Sequence, residues 1–485
     1  MSGTSIGNAT SLAAASLQAT DVIPVERPGV TTPYKTTLSS LTKAVTGMIN
    51  AVDYGAVGDG TTDDTDAIQA TIDAANALYD STLRNVTTVL LPHSSSGYFV
   101  TSITLKSGVN LYSPASTSRS GAYLTSTTAG WVIDTAATET IDAGIDGIGI
   151  KGGGTVATNG IGGIRFQDGT ACWVLNSFLS GFANQAILVS DGIACMFKNI
   201  LIYNTLMDRS RSAVAGAIEI YGNDHLLDWV EAGTSSSVEG TVSDANLYCA
   251  GILMGGSTGF LSNCIGEVSD VGFYVSGDYN RFVNCRADLN YGHGWMIAAG
   301  ASASQYSNCL ALNNSQDTDN TYDGFHFVGT AGNNLHFSNC LAFCNTTTAN
   351  QHRYGFYDPT TSFAAANRFY GCNSLNHVTA AVYLSGSASS IFELPQSGGK
   401  SNFTNGDTTP SVAGRCNWDL NNTNPTSITN FDDGIDGQII RVKGDVSTTI
   451  VHGTNIFTLA AANIVCSSWF IIHSFQKRGA YWYQI

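Results

Sequence analysis

The sequence predicts an all-β fold of the solenoid kind, a parallel β-helix in which one chain winds through stacked coils, and three observations predict it. One phrase returns five times between Gly251 and Ser385, as LSNCIGE, FVNCRAD, YSNCLAL, FSNCLAF and FYGCNSL. It places Cys264, Cys285, Cys309, Cys340 and Cys372 at intervals of 21, 24, 31 and 32 residues. The shorter intervals suit one coil and the longer ones a coil with an added loop. Gly272-Phe273, Gly294-Trp295, Gly324-Phe325 and Gly355-Phe356 keep step with the cysteines, as a second column on the same rungs would.

The chemistry of the columns is the third observation. Small apolar residues recur two places after the cysteines, at Gly266, Ala287, Ala311 and Ala342, which suits strands facing a narrow core. Asn263, Asn284, Asn308 and Asn339 come just before the cysteines, and Asn tolerates the left-handed backbone that a sharp corner requires. A ladder of such amides can hydrogen-bond from rung to rung, so buried corner amides are expected to find partners there.

Composition agrees. At 485 residues a single compact domain is not expected, whereas a solenoid grows coil by coil because each coil touches only its neighbours. Only 12% of residues are charged, and Gly stands at 52 against 9 Pro. The net charge of −16 argues against nucleic acid and anionic membranes as partners, which require basic patches, and disfavours polyanions except at local patches. The 11 cysteines are odd in number and mostly fall in the core columns, so they read as reduced hydrophobes of a protein made in a reducing cytoplasm. The first residues lack the basic start and long apolar run of a signal peptide, and no later run could span a bilayer.

In chain order, Asp21 to Val25 followed by Gly29-Val30 and Tyr34-Lys35 resembles a short module at the start of phage tail fibres and tailspikes, where it anchors the protein to the virion. The alternative is an extended arm leading to a helix over Leu38 to Met48. The segment VDYGAVGDGTTDDTDAIQATIDAA, Val52 to Ala75, reads as a strand, a Gly-rich turn and a helix. Asp63 or Asp64 caps that helix, and Ala67, Ile68, Thr71, Ile72 and Ala75 form its apolar stripe. Such a helix plugs the open end of a solenoid. This wording resembles the opening of the pectate-lyase-like right-handed β-helix superfamily, which includes polygalacturonases and many phage tailspikes. The resemblance implies a right-handed helix and a structural role for Asp59, Asp63, Asp64 and Asp66.

Runs at Thr88 to Leu91, Tyr98 to Leu105 and Val109 to Tyr112 begin the coils. Met207 to Ala215, with Arg209 and Arg211, and Asp228 to Asp244, with Glu231 and Glu239, interrupt the rhythm as loops. Asp317, Asp319 and Asp323 suggest a calcium loop but lack its distal Glu, so they read as a solvated turn, and neither metal nor cofactor is expected. A Gly/Ser/Asn-rich connection is expected from Ile391 to Asp436, followed by short strands to Ile485. That last stretch, with Thr448 to Thr454 and Trp482, resembles small β-domains that close phage tail proteins. Three units are expected: an attachment segment over 1–49, the β-helix over 50–395 with its capping helix over 63–76, and a C-terminal β-rich domain over 396–485.

Glycoside hydrolysis needs two carboxyl groups flanking a bond. Three residues after the cysteines the column reads Glu267, Asp288, Leu312, Phe343 and Leu375, so two carboxylates stack on consecutive rungs of an outward face. Stacked like charges raise one pKa and supply an acid beside a base. Asp270 joins Glu267 and Asp288 as the expected catalytic set. Trp295, Tyr291, His293, Tyr274 and Arg286 are the expected substrate contacts, with Trp229 and Tyr279 as further sugar-stacking aromatics, while Asp228, Glu231 and Glu239 are positioned to reach over. Lyase chemistry fits less well, although Arg281 and Arg286 are near.

Together these readings describe a homotrimeric tailspike in the virion tail. It would join tail, baseplate or portal-proximal proteins through residues 1–49, and bind and hydrolyse a host capsule, lipopolysaccharide or exopolysaccharide. A receptor-binding spike without activity and a structural tail component are the alternatives. The apolar outward positions Leu312, Phe343 and Leu375 motivate the trimer.

Overall fold

In the computed structural model, residues 47–485 are described except 115–120, 154–159, 206–213, 235–248, 299, 329–333, 346–350, 360–366, 376, 385–390, 394–400, 413–416, 435–437 and 468–470, with the backbone of two further strands, Val22–Val25 and Tyr34–Thr37. Those two strands pair antiparallel. The remainder of residues 1–46 lies outside the described residues, so of the Leu38 to Met48 stretch only Gly47 and Met48 are described.

The solenoid starts at Met48–Asn50, which pairs parallel with Thr87–Leu90, two residues before the expected boundary. The helix Thr65–Asn76 buries Ile68, Thr71, Ile72 and Ala75 against the first coils, as its stripe predicts. The acids before it hold the turn. Asp63 accepts from the Thr65 N–H and Asp59 from the Thr61 and Thr62 N–H groups. Asp64 does not cap the helix; its carboxylate accepts from the Val57 and Gly58 N–H groups and fastens the Gly-rich turn.

From there the chain winds as a parallel β-helix. A 21-stranded sheet supplies two adjoining faces and an 11-stranded sheet supplies the third. The first face includes Phe260–Ser262, Arg281–Val283, Gln305–Ser307, His336–Ser338 and Arg368–Tyr370, in parallel register. The second follows a corner and includes Ile265–Glu267, Arg286–Asp288, Leu310–Leu312, Leu341–Phe343 and Asn373–Leu375. The third includes Val271–Val275, Trp295–Ile297, Phe325–Phe327 and Tyr354–Asp358.

Alternation along each short strand puts the cysteines inside. The ten described cysteines are free and buried. Two aromatic ladders fill the core beside them. On the first face Phe282, Tyr306, Phe337 and Phe369 stack at 4.8, 4.3 and 4.8 Å between centroids. On the third, Phe273, Trp295, Phe325 and Phe356 stack at 4.0, 5.7 and 4.7 Å. The ladders meet edge to face, Trp295 against Phe282 and Tyr306 at 89° and 87°.

The Asn corners are left-handed as expected, with φ of 55°, 55°, 54° and 53° at Asn263, Asn284, Asn308 and Asn339. Their amides are not buried, however. Asn284, Asn308 and Asn339 are exposed, and the rung-to-rung bonds from Asn284 to Asn263 and from Asn308 to Asn284 are long, at 3.5 and 3.3 Å. The buried ladder lies at the next corner, five residues after the cysteines. There Asn290 Nδ2 donates to Asn314 Oδ1 at 2.7 Å, and Asn314 Oδ1 also accepts from the Asn290 N–H at 3.2 Å. These amides face inward and satisfy backbone groups, Asn290 Nδ2 donating to the Gly266 carbonyl at 3.1 Å and Asn314 Nδ2 to the Ala287 carbonyl at 3.3 Å.

Two loop expectations change. Leu226–Thr234 is a strand of the stack, pairing with Met196–Thr205, so Asp228 and Glu231 sit on a rung rather than in a loop. The stretch after Ile391 is also not a bare connection. Ser401–Asn402, Asn417–Asp419 and Thr426–Ile428 pair into the C-terminal sheets because Phe403, Val412, Leu420, Ile428 and Phe431 are buried with Trp482 in that core. Trp482 donates to the Phe431 carbonyl at 2.8 Å.

Candidate carboxylate site and its relatives

The second face places Glu267 directly beside Asp288, in register on adjacent parallel strands. Neighbouring strands lie about 4.8 Å apart. Two residues on earlier rungs complete the group. Glu231 pairs with Ile265, one column over, and Gly233 occupies the Glu267 column on the same strand. Because Gly233 has no side chain, the Tyr203 ring from the strand before reaches across. Its hydroxyl donates to Glu231 and, at 3.3 Å, to Glu267 Oε1. Arg286 Nε lies 3.4 Å from Asp288 Oδ2. Asp288 Oδ1 is buried without a hydrogen-bond partner.

The cluster is half-buried, and burial is the main force on its protons. It raises the Glu267 carboxyl above the usual range, helped by the charge of Glu231 and then of Asp288, against the opposing hydrogen bond from Tyr203. Burial likewise raises Asp288, against the lowering effect of Arg286. Burial and the Glu231 bond push Tyr203 well above its ordinary value, so it stays a donor. A carboxyl held protonated beside a second carboxylate can deliver a proton while its neighbour acts as base or nucleophile.

The other expected site residues lie elsewhere. Trp295 is fully buried in the aromatic ladder, with its indole N–H bonded to the Leu310 carbonyl at 2.9 Å, so it offers no face to a sugar. Asp270 is fully buried and accepts from the Cys249 N–H at 3.1 Å. His293 is fully buried as well, its Nδ1 accepting from the Asp323 N–H at 2.9 Å while its ring stacks on His326 at 4.0 Å. Neither can touch a ligand on the carboxylate face. Tyr274 and Tyr291 are partly buried on the outside of the third face, with Leu253, Met296 and Tyr322. Asp228 is held at the first corner by Ser262, Asn263 and Lys198. Glu239, Arg209 and Arg211 lie outside the described residues.

Tyr203 was missed and Glu231 was mistaken for a loop acid, yet both carry a signal. Asn199-Ile200-Leu201-Ile202-Tyr203 and Trp229-Val230-Glu231-Ala232-Gly233 repeat the phrase Asn263-Cys264-Ile265-Gly266-Glu267, with Ile and Val in place of Cys.

Two groups of ligating side chains occur among the described residues. Cys344, His352 and His377 offer atoms within 4.8 Å of one another, as do His293, Asp323 and His326. In the first, His352 Nε2 accepts from the Asn314 N–H at 3.0 Å, so the neutral ring carries its proton on Nδ1, the atom an ion would need. In the second, Asp323 is clasped by Arg353 through bonds of 3.1 and 2.7 Å, which puts a fixed cation where an ion would sit. Asp323 is thus an ion-paired buried acid, unlike the exposed Asp317 and Asp319 of the same turn.

A second surface feature lies on the first face. A cleft of about 400 Å³ is lined by Thr258, Phe260, Tyr279, Arg281 and Gln305. Tyr279 is 60% exposed and Trp229, at the next corner, 63%.

A family model described as rhamnogalacturonase A/epimerase, pectate lyase-like, matches residues 48–117, the first strand, the helix and the opening coils. No curated protein matches the chain significantly by sequence. Among solved structures, the tailspike protein of E. coli bacteriophage HK620, in complex with a pentasaccharide, is 11% identical with a TM-score of 0.58, covering 91% of this chain and 75% of that one. PfbA, a surface adhesin of Streptococcus pneumoniae, is 12% identical with a TM-score of 0.48, covering 90% and 98%. The A-module of an Azotobacter vinelandii mannuronan C-5 epimerase is 17% identical with a TM-score of 0.42, covering 72% and 100%. No helix among the described residues is long and apolar enough to cross a membrane. The fold that the family model and the HK620 tailspike share with the chain is the pectate lyase-like right-handed β-helix.

Proposed function

We propose that the chain is a tailspike-like protein that binds a cell-surface polysaccharide and hydrolyses it at the second face. One observation carries the reading: Glu231, Glu267 and Asp288 lie on three consecutive outward rungs, and burial holds two of them above the usual carboxylate range. Glu267, with the larger set of raising influences, is the proton donor; Asp288 is the paired carboxylate. Tyr203 and Arg286 orient the two. The pentasaccharide bound by the HK620 tailspike, which shares the fold, supports a glycan as ligand.

In this reading residues 1–49 attach the protein to a phage tail. The working unit is a homotrimer, because Leu310, Leu312, Leu341 and Phe343 leave a continuous half-buried apolar strip on the outside of the second face. Light scattering should give three times the chain's 50.9 kDa. Leu312→Glu with Phe343→Glu should reduce it to one, and a monomeric native protein would sink the trimer.

The test of chemistry uses capsule, lipopolysaccharide and exopolysaccharide preparations from candidate hosts, with the products sized. Glu267→Gln and Asp288→Asn keep shape and should still bind, but release oligosaccharide roughly 10² to 10⁴ times more slowly. Native rates in both variants would place the chemistry elsewhere. The exposed Tyr279, Phe260 and Trp229 favour a second reading, binding without cleavage, which a cleavage-negative native protein that retains glycan affinity would establish.

A further inference from the structure

The first face carries a set of groups that the carboxylate cluster does not use. Its outward column reads Phe260, Arg281, Gln305, His336 and Arg368 on five consecutive rungs. All five are exposed. Three rung spacings separate the two arginines, roughly 14 Å along the solenoid axis.

These arginines differ from others of the solenoid. Arg84, Arg165, Arg286 and Arg353 each face an aspartate, namely Asp142, Asp134, Asp288 and Asp323. Arg281 and Arg368 have no ion-pair partner among the described residues, in a chain whose net charge is −16. Two acids bordering the face are already engaged, Asp228 by Lys198, Ser262 and Asn263, and Asp278 by the Ser302 N–H and hydroxyl, while the exposed Asp224 lies at the corner one rung before Thr258. An unpaired row of donors on an acidic protein is a local anion site against an unfavourable background.

Aromatic rings bound the same face at both corners. Tyr279 and Trp229 have φ of 56° and 55°, a left-handed conformation that bulky residues rarely adopt. On the Trp229 corner the neighbouring rungs carry Asn199 and Asn263. Packing does not explain an indole there, because the ring is mostly in solvent. Strained backbone that presents an exposed ring is a mark of ligand contact.

We propose that this face binds an extended anionic polysaccharide. Its sugar rings stack on Tyr279 and Phe260 in the cleft and on Trp229 at the far corner, and its carboxylates lie along Arg281, His336 and Arg368. The inference rests on the reading of the chain as a glycan-binding protein, and not on its cleaving anything.

The test titrates the full-length protein with two acidic probes of different backbone, oligogalacturonate and oligosialate, and with a neutral dextran of matched length. At least one acidic probe should bind well above dextran, and its affinity should fall as ionic strength passes about 0.1 M, where screening reaches about 10 Å. Arg281→Gln and Arg368→Gln should each weaken that binding about tenfold or more, and Tyr279→Ala should weaken it as well. Equal affinity for dextran and the acidic probes, absence of binding to both acidic probes, or arginine variants that bind as the native protein does would each overturn the proposal. Cleavage of a neutral host glycan by a protein that ignores both acidic probes would overturn it while leaving the hydrolytic reading in place.

Discussion

Replacing Trp295 by alanine separates a core role from a ligand role. The indole is fully buried, stacked on Phe273 at 4.0 Å and Phe325 at 5.7 Å, and met edge-on by Phe282 and Tyr306. Truncating a buried Trp costs about 3–5 kcal/mol in lost transfer energy and cavity. The Leu310 carbonyl also loses the indole N–H, an unsatisfied group worth about 1 kcal/mol or more. A total near 5 kcal/mol follows, and in a solenoid it falls mainly on the adjoining coils. Amide hydrogen exchange on the Phe273, Trp295 and Phe325 rungs should accelerate on the order of 10³-fold, while rungs near Leu111 keep their protection. Trp295→Phe keeps the stack and should cost about half as much. Unchanged protection in Trp295→Ala together with lost glycan binding would refute the placement of this ring in the core.

Two other perturbations follow from the cluster and from the buried ladder. Burial raises Glu267 and Asp288, so their favourable contribution to stability is present at pH below the ordinary carboxylate range and is lost as pH rises through their folded values. Glu267→Gln and Asp288→Asn should therefore unfold at the same or higher denaturant than the native protein near pH 7, with the gap closing near pH 4; variants less stable at pH 7 would contradict the assignment. Asn314→Ala strips the Asn290 N–H and Nδ2 of their shared acceptor and should cost about 3–5 kcal/mol, whereas Asn284→Ala at the exposed corner should cost under about 1 kcal/mol. Equal denaturation midpoints for these two would show that the inner ladder is not the buried one.

The solenoid was legible because its columns are periodic in residue type as well as in hydropathy. On successive rungs the Asn-Cys phrase turns the corner between the first and second faces, and the Gly-Phe phrase leads into the third. Residues that broke the phrase were harder to place. Tyr203 and Glu231 escaped because Ile200 and Val230 fill the cysteine position, a substitution that packs equally well and hides the repeat. Trp295 was misassigned although it shares a column with Phe273, Phe325 and Phe356, which the alternation sends inward. Asp270 and His293 follow the strands at turns, where alternation says nothing about which way a side chain points. An outer layer including Leu253, Met296 and Tyr322 covers the third face beside them. Exposure of the Asn corners was likewise unreadable, because left-handed φ fixes the backbone and leaves the amide free to face solvent.

The two surface features occupy the same rungs. Phe260 and Arg281 on the first face precede Glu267 and Asp288 on the second by seven residues each, and only the corners at Asn263 and Asn284 separate them. A chain held along the first face thus has one corner to turn before it meets the raised carboxylates. These rungs also belong to coils of only 21 and 24 residues between cysteines. Further along, the Glu267 and Asp288 column becomes Leu312, Phe343 and Leu375. If that apolar strip closes against another copy of the chain, Asp288 marks the last open rung and the carboxylates lie at the rim of the seam. Desolvation there would exceed that of a single chain. In that arrangement Leu341→Gln with Phe343→Gln, which opens the seam without adding a charge beside Asp288, should let the Glu267 carboxyl fall toward its ordinary range, and an alkaline limb of the cleavage profile that stays in place after the trimer dissociates would show that the seam and the site are independent.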